Sequence, residues 1–245
     1  IDGNCMESYR IDNPQQRKQC IFELIYFSRP DSVVFGETVY ECRKKMGYAL
    51  AKESAVEADF VMPFPDSGMY SAVGFSQQCN LPFETAMIRN HYVGRTFIQP
   101  SQSMRDFSTR VKINPVRSMI KDKRLLIVDD SIVRGTTIRS RVKKLRELGA
   151  REIHFRVSCP PIRFPCYYGI DFSSKGELIA ANNTVDEIAR FIGLDSLHYL
   201  TIEGLLGSVS RPEDYCLACF DGRYPIEPCK GLGKACLEGK DALHW

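Results

Sequence analysis

The chain has 245 residues, 44% of them hydrophobic, so it can form one large or two modest domains with a real core. Lys and Arg number 33 against 30 Asp and Glu, and this net charge of +3 is too small to require nucleic acid as a partner. No apolar run approaches the roughly eighteen residues of a membrane span, and the first residues lack the charged-then-apolar pattern of a secretory leader. We therefore expect no nucleic acid and no membrane as partners, and the first residue, Ile1, indicates a fragment or a processed product.

Apolar periodicity predicts strands and helices in alternation along the chain. The predicted elements are a helix over 37–54, a strand over 59–64, a strand over 83–88, a strand over 125–129, a helix over 138–148, a strand over 153–158 and a helix over 185–194. After Pro161 the strand pattern weakens. Strands that alternate with helices pair in parallel through right-handed crossovers. We therefore predict an α/β fold with a mostly parallel sheet flanked by helices.

The most specific motif lies where the strand over 125–129 ends, because two acids precede a small loop that contains glycine. Asp129 and Asp130 are followed by the loop Ser131-Ile132-Val133-Arg134-Gly135-Thr136-Thr137. Main-chain N–H groups in such a loop, with the positive end of the next helix, can hold a phosphate, and Gly135 permits a close approach. The two carboxylates suit hydroxyl groups or a hard cation such as Mg²⁺. A ribose 5-phosphate satisfies both demands.

A simpler interpretation is that the acidic pair caps a helix and that Gly135 makes an ordinary turn. A second turn, Pro65-Asp66-Ser67-Gly68, follows the strand over 59–64, and by itself it would be a plain type I turn. Ligands of parallel sheets bind at the carboxyl ends of the strands, where both turns are expected. We therefore expect Ser67 to face the same ligand as the acidic pair.

The stretch from Leu125 to Thr137 resembles the motif with which type I phosphoribosyltransferases bind phosphoribosyl pyrophosphate (PRPP), and VDDSIVRGTT is most similar to the amidotransferase branch of that family. The resemblance implies a type I phosphoribosyltransferase fold with a flexible lid loop and a Cys-rich C-terminal extension. It also implies three regions: a linker or crossing segment at 1–19, a phosphoribosyltransferase domain at 20–205, and a Cys-rich segment at 206–245 packed on that domain.

The resemblance implies roles for individual residues of this chain. Those expected to bind PRPP are Ser67, Asp129, Asp130, Ser131, Val133, Arg134, Gly135, Thr136 and Thr137. Ser67, Asp129 and Asp130 are also expected around Mg²⁺, because the departing pyrophosphate concentrates negative charge. The residues expected to act in catalysis are Asp129, Asp130, Arg89 and Arg95.

The stretch over 89–110 is similar to the family's flexible loop, which closes over PRPP. Arg95 and Arg105 would grip the pyrophosphate, Gly94 would act as a hinge, and closure would exclude water. The chain departs from its relatives at Arg89, where they usually have Lys, and at His91, where they usually have Arg. A lysine-specific role is therefore in doubt. The alternative is a solvated surface loop.

Ten cysteines are many for an intracellular chain, and this chain is too large to need disulfides, so we expect a reducing, cytoplasmic setting with some cysteines on a metal. Cys216 and Cys219 have the spacing that lets two thiolates share a metal or a cluster. The resemblance to cluster-containing amidotransferases implies a 4Fe–4S cluster held by Cys20, Cys166, Cys216 and Cys219. A rival is a local Zn²⁺ site made by Cys216, Cys219, Cys229 and Cys236.

The resemblance implies that the chain transfers ammonia, normally supplied from glutamine, to C1 of PRPP. The products would be 5-phosphoribosylamine and pyrophosphate, in the first step of purine synthesis. The N-terminal glutaminase domain of complete relatives is expected to be missing, because the chain opens with Ile1 instead of a nucleophilic cysteine. A homo-oligomer is also implied. Tyr26 is expected either to line the path of ammonia or to be a core aromatic.

Two alternatives remain for the function. One is another PRPP enzyme, such as a salvage-type transferase that accepts a purine base. The other is a non-catalytic regulator that senses PRPP through the same fold. Such regulators typically need a DNA-binding module, and no basic helix-turn-helix region is evident before Cys20.

Overall fold

The computed structural model describes residues 17–89, 113–171 and 175–226. The strands in these ranges are β1 (Gln19–Cys20), β2 (Val33–Val34), β3 (Glu37–Thr38), β4 (Phe60–Pro63), β5 (Met87–Arg89), β6 (Ile113–Pro115), β7 (Arg124–Asp129), β8 (Glu152–Val157), β9 (Ser196–Tyr199) and β10 (Tyr215–Cys216). The α-helices are α1 (Val39–Ser54), α2 (Met69–Cys79), α3 (Arg117–Ile120), α4 (Thr136–Glu147), α5 (Ile179–Asn182), α6 (Val185–Ile192), α7 (Ile202–Leu206) and α8 (Ala218–Asp221). A π-helix spans Glu23–Phe27, and 3₁₀ helices span Lys175–Glu177 and Pro212–Asp214.

The centre of the described chain is a four-stranded sheet in the order β4-β7-β8-β9, and every pairing in it is parallel. The predicted α/β fold with a mostly parallel sheet is thereby confirmed. β7 lies between β4 and β8, and its residues 125–128 are fully buried, as expected for a strand covered on both faces. α1 packs on α2, α2 contacts β4 and β7, and α4 packs on α6.

The observed strands differ from the sequence prediction in several places, and the strands that were not predicted include β1, β2, β3, β6 and β10. β9 was not foreseen, because three of its four residues are only half-buried and give no apolar run. The strand predicted over 83–88 is shorter, since Phe83 makes only an isolated bridge to Val61 of β4. The chain then leaves the main sheet, and β5 pairs with β6 in an antiparallel ribbon.

The two ends of the described chain meet on one side of the domain. β1 pairs in parallel with β10, which sets Cys20 opposite Cys216. The Ser210 N–H donates to the buried Glu37 carboxylate at 2.5 Å, and this bond fastens the C-terminal segment to β3, just before α1. Among the described residues, no helix has both the length and the apolarity to cross a bilayer.

Candidate functional site

The loop between β7 and α4 carries the strongest predicted motif, and Gly135 fixes its shape. Gly135 precedes the first turn of α4 with φ +72°, in the left-handed region that glycine adopts without strain. A Cβ at this position would also lie 3.1 Å from Ile179 Cδ1. The first N–H groups of α4 have no partner within the helix, so they are available to an anion in the loop.

The acidic pair lies at the tip of β7, and both carboxyl groups are buried. Asp129 is 6% exposed and Asp130 4%. The Ser67 hydroxyl and the Asp130 N–H donate to Asp129 Oδ1, at 3.2 and 2.9 Å, and the Ser131 hydroxyl donates to the Asp130 carboxylate. Two buried carboxylates this close repel each other, so a cation or hydroxyl donors between them would lower the energy of the site.

Burial has a direct effect on the protonation of this pair. It raises the pKa of the Asp129 carboxyl well above its usual range, and the neighbouring charge of Asp130 raises this pKa further. Burial also raises the pKa of Asp130, although hydrogen bonds from Ser131 and Ser67 and the charge of Arg43 oppose it. Strongly shifted acids in a cleft are typical of functional sites.

The turn that carries Ser67 packs directly on β7. The Phe64 N–H donates to the Val128 carbonyl at 2.8 Å. A Cβ on Gly68 would lie 2.1 Å from the same carbonyl oxygen, so only glycine fits there. This close packing brings Ser67 against Asp129, as the prediction that both turns lie at one edge of the sheet requires.

A cavity of about 570 Å³ opens over this edge, and we call it the acidic pocket. All nine residues predicted to bind PRPP line it: Ser67, Asp129, Asp130, Ser131, Val133, Arg134, Gly135, Thr136 and Thr137. Its volume suits a small phosphorylated ligand. The structure therefore brings together the residues that the sequence assigned to one site.

Further residues line the acidic pocket without having been assigned to it from the sequence, among them Phe22, Phe27, Ile170 and Glu177. The aromatic run over 20–27 indicates that Phe22 and Phe27 pack against something. Which way these side chains face depends on the π-helix, which the sequence does not predict. Glu177 binds the Arg134 guanidinium at 2.7 Å. Tyr26 lines the same pocket and is 50% exposed, so it is not a core aromatic.

The predicted lid falls almost wholly outside the described residues. Arg95, Arg105, Gly94 and His91 are among the residues that the structure does not describe. Arg89, at the end of β5, is described and makes an ion pair with Asp66, the neighbour of Ser67. Its catalytic role stays a prediction, because Arg89 is not among the residues that line the acidic pocket.

The four cysteines predicted to hold a cluster surround a second cavity of about 450 Å³, which we call the cysteine cavity. Cys20 and Cys216 come from the paired strands β1 and β10, and Cys219 lies in α8. The Arg163 and Phe164 N–H groups donate to the Cys219 carbonyl at 2.9 and 3.1 Å, and they bring the segment with Cys166 alongside. Three segments distant in sequence therefore converge on one cavity.

Main-chain N–H groups face the sulfur atoms of this cavity. The Tyr168 N–H donates to Cys166 Sγ at 3.4 Å. Burial raises the pKa of the Cys20 thiol, and the Phe22 and Glu23 N–H groups oppose that rise. Burial likewise raises the pKa of Cys216, and the Ala218 N–H opposes it. Such N–H donors stabilise thiolate sulfur, which is the form that binds iron or zinc.

All seven cysteines of the described chain are free thiols. Within that same part of the chain, no three His, Cys, Asp or Glu side chains form a group that could hold a metal ion. The Cys229 and Cys236 of the rival zinc site lie outside it. The acidic pocket and the cysteine cavity share two wall residues, Phe22 and Ile170.

The parallel sheet flanked by helices, with an acidic pair and a glycine loop at its carboxyl edge, is the fold of the type I phosphoribosyltransferases. No family model matches the chain. Two solved structures share this fold at high similarity. One is the glutamine PRPP amidotransferase from B. subtilis complexed with ADP and GMP, with a TM-score of 0.81 and 49% identity over 91% of this chain and 50% of that one. The other, described as the allosteric regulatory enzyme of purine biosynthesis, has a TM-score of 0.82 and 50% identity over 91% of this chain and 49% of that one.

Curated relatives at similar identity are amidophosphoribosyltransferases. The protein from Archaeoglobus fulgidus is 51% identical over 92% of this chain and 50% of its own length. The protein from Synechocystis sp. is 54% identical over 92% of this chain and 46% of its own length. The chain thus spans about half the length of the curated relatives that it matches.

Proposed function

We propose that this chain is the phosphoribosyltransferase part of an amidophosphoribosyltransferase. It transfers ammonia to C1 of PRPP and releases pyrophosphate, with 5-phosphoribosylamine as the product. The observation that carries the proposal is the acidic pocket, which collects all nine residues assigned to PRPP, in a chain about half identical to amidophosphoribosyltransferases. A glutaminase part outside this chain would supply the ammonia in the complete protein.

The loop and the acidic pair bind different parts of the substrate. The main-chain N–H groups from Ser131 to Thr137 bind the 5-phosphate at the start of α4. Asp129 and Asp130 accept hydrogen bonds from the ribose hydroxyls, which lie next to the phosphate in PRPP. This arrangement fixes C1 relative to the sheet edge, and such orientation lowers the barrier for a second reactant.

The reaction breaks the bond between C1 and a pyrophosphate oxygen and forms a bond from C1 to nitrogen. The electron pair leaves with pyrophosphate, ammonia attacks the opposite face, and the nitrogen then releases a proton to solvent. C1 carries positive charge in the transition state, and the buried carboxylates of Asp129 and Asp130 stabilise that charge. Phe22, Tyr26 and Phe27 would shield the ring from water, and the half-exposed Tyr26 is proposed to line the path by which ammonia enters.

The residues at the sheet edge fit a divalent cation. Ser67, Asp129 and Asp130 would hold Mg²⁺, since buried oxygen donors with raised pKa values gain from a nearby cation. Bound Mg²⁺ would neutralise the charge that develops on the departing pyrophosphate. Arg89 and Arg95 are proposed to add positive charge from the lid.

The cysteine cavity fits a 4Fe–4S cluster better than a single ion. Cys20, Cys166, Cys216 and Cys219 line a space of about 450 Å³, far more than one zinc ion occupies. N–H donors to three of these sulfurs support thiolate ligation. The cluster would fasten the segments around residues 20, 166 and 216 together, a structural role. Free thiols throughout the described chain agree with the reducing, cytoplasmic setting that we propose.

An assay of the 245-residue chain with PRPP, Mg²⁺ and an ammonium salt tests the proposal. We expect release of pyrophosphate that depends on ammonium and is not replaced by purine bases. Release with a purine base in place of ammonium would favour a salvage-type transferase. Binding of PRPP without turnover would favour a regulator. Either result would refute the proposed activity.

A further inference from the structure

Arg43 is a buried cation that does not line the acidic pocket, although its charge acts to lower the pKa of Asp130 there. It lies in the second turn of α1 and is only 4% exposed. Its Nε donates to the Leu24 carbonyl at 2.9 Å, and its Nη2 donates to the Ser28 carbonyl at 2.8 Å. A buried guanidinium is costly unless its donors are satisfied, so these two bonds hold both partners firmly in place.

The two carbonyls belong to the segment 20–28, which contains the π-helix. This segment contributes to both cavities. Cys20 and Phe22 line the cysteine cavity, and Phe22, Tyr26 and Phe27 line the acidic pocket. A shift of this short segment would therefore change the walls of the two cavities together.

Opposite ends of the segment are fixed by groups of opposite character. At its start, the Phe22 and Glu23 N–H groups face the Cys20 sulfur. The Leu24 carbonyl in its middle and the Ser28 carbonyl at its end accept from Arg43. N–H groups favour negative charge and carbonyls favour positive charge, so a Cys20 thiolate would hold the segment at its start while Arg43 holds it at its middle and its end.

Arg156 offers an internal comparison, because it is an equally buried arginine with similar bonds. It is 4% exposed, and its Nε donates to the Ser54 carbonyl at 2.8 Å, while its Nη1 donates to the Phe155 carbonyl and the Ser196 hydroxyl, both at 3.0 Å. These bonds fasten the end of α1 to β8 and β9. Arg156 lines neither the acidic pocket nor the cysteine cavity.

We propose that Arg43 is a positioning residue that holds the segment 20–28 where it closes the cysteine cavity and walls the acidic pocket, so that cluster retention and PRPP binding depend on one side chain. This inference rests on the proposed function. Arg43 lines neither cavity, and besides its charge on Asp130 it acts through the main chain of Leu24 and Ser28.

Matched substitutions of the two arginines test the inference on the full chain, prepared anaerobically with iron and sulfide. Arg43→Met is expected to weaken iron retention about 10-fold, the lower end of the effect of losing a group that contacts a metal ligand, because Arg43 acts on Cys20 only through the main chain. It should also raise KM for PRPP about tenfold with kcat within about threefold, since ground-state binding is what is lost. Arg156→Met is expected to lower the melting temperature about as much as Arg43→Met does. Its iron content and its KM for PRPP should stay at wild-type values.

Arg43→Lys keeps the inference testable if Arg43→Met does not fold. Lysine keeps the charge but lacks the planar fork, so its iron retention and KM should fall between those of wild type and Arg43→Met. The inference would be overturned if the Arg43 and Arg156 variants lost iron and PRPP affinity equally. It would also be overturned if Arg43→Lys had the iron retention and KM of the wild type. A wild-type chain that neither retains iron nor releases pyrophosphate would instead overturn the proposed function.

Discussion

The acidic pocket and the cysteine cavity are neighbours that are built in opposite ways. Most residues of the acidic pocket come from one continuous stretch, 129–138, held at the end of the buried strand β7. The cysteine cavity is assembled from segments around residues 20, 166 and 216, which meet only when the domain has folded. The first site therefore depends on local backbone geometry and the second on long-range assembly. Substitutions in the acidic pocket and in the cysteine cavity should therefore have different effects on the protein.

The largest effect should come from the acidic pair. Asp129→Asn with Asp130→Asn removes the charges that stabilise C1 and the oxygen donors for Mg²⁺, so kcat/KM should fall by at least about 10²–10³-fold. Iron content should stay unchanged if the two sites are independent in this direction. Pyrophosphate release and iron analysis measure both outcomes.

The exposed Asp186 in α6 provides the control for that double variant. Asp186→Asn removes an exposed charge that does not line the acidic pocket and should leave kcat/KM unaltered. If the double variant retained wild-type activity, the acidic pair would have no catalytic role and the acidic pocket would not be the catalytic site.

The next effect should come from a cysteine at the junction of the two chain ends. Cys216→Ser removes one proposed cluster ligand, and the chain should lose most of its iron and melt several degrees lower, because metal binding contributes to folding. Cys79→Ser, at a half-buried cysteine outside the cavity, should change neither quantity. Wild-type iron in Cys216→Ser would contradict the assignment of the cavity to a cluster.

A smaller effect is expected at Gly135, in the loop between β7 and α4. Gly135→Ala forces a side chain into the left-handed region and against Ile179, which should cost about 1 kcal/mol of stability. The distorted loop should also raise KM for PRPP about tenfold, because N–H groups that bind phosphate move.

Gly176 is the matched control for this glycine. A Cβ there meets nothing within 4 Å, so Gly176→Ala should stay within about 0.5 kcal/mol of wild type, with KM unaltered. Chemical denaturation and steady-state kinetics separate the two variants, and equal behaviour of both would show that the loop geometry is unimportant.

The contrast between the two sites also explains what could be read from the sequence. The stretch 125–137 was interpretable because a strand, a loop and a helix start are encoded by adjacent residues. The placement of Ser67 near the acidic pair could be predicted because the carboxyl ends of parallel strands lie at one edge of the sheet. Phe22 and Ile170 could not be foreseen as a shared wall, because their placement depends on the π-helix and on packing between distant segments.

The rest of the fold shows the same limit. The predicted helix over 185–194 is observed at Val185–Ile192, and a capping box explains its start. The Thr184 hydroxyl accepts from the Glu187 N–H, and the Thr184 N–H donates to the Glu187 carboxylate. β9 has no comparable local signal, since its four residues join the sheet only through pairing with β8. Arg43 likewise has no sequence pattern that marks the carbonyls it binds.

The smallest expected effect concerns stability and pH. The folded-state pKa of Asp129 lies above its unfolded value, so between these values the native state binds more protons, and stability falls as pH rises from about 4 towards neutrality. Asp129→Asn removes this penalty. It should melt a few degrees higher than wild type at pH 7 and equally at pH 4, in thermal scans without Mg²⁺ or PRPP. A lower melting temperature at pH 7 would show that the carboxylate stabilises the fold.

The most direct test is a crystal of the chain soaked with PRPP and Mg²⁺. We predict the 5-phosphate on the main-chain N–H groups between Ser131 and Thr137, with the ribose hydroxyls against Asp129 and Asp130. PRPP bound elsewhere, or a pocket that stays empty at saturating PRPP, would contradict the assignment of this sheet edge as the active site.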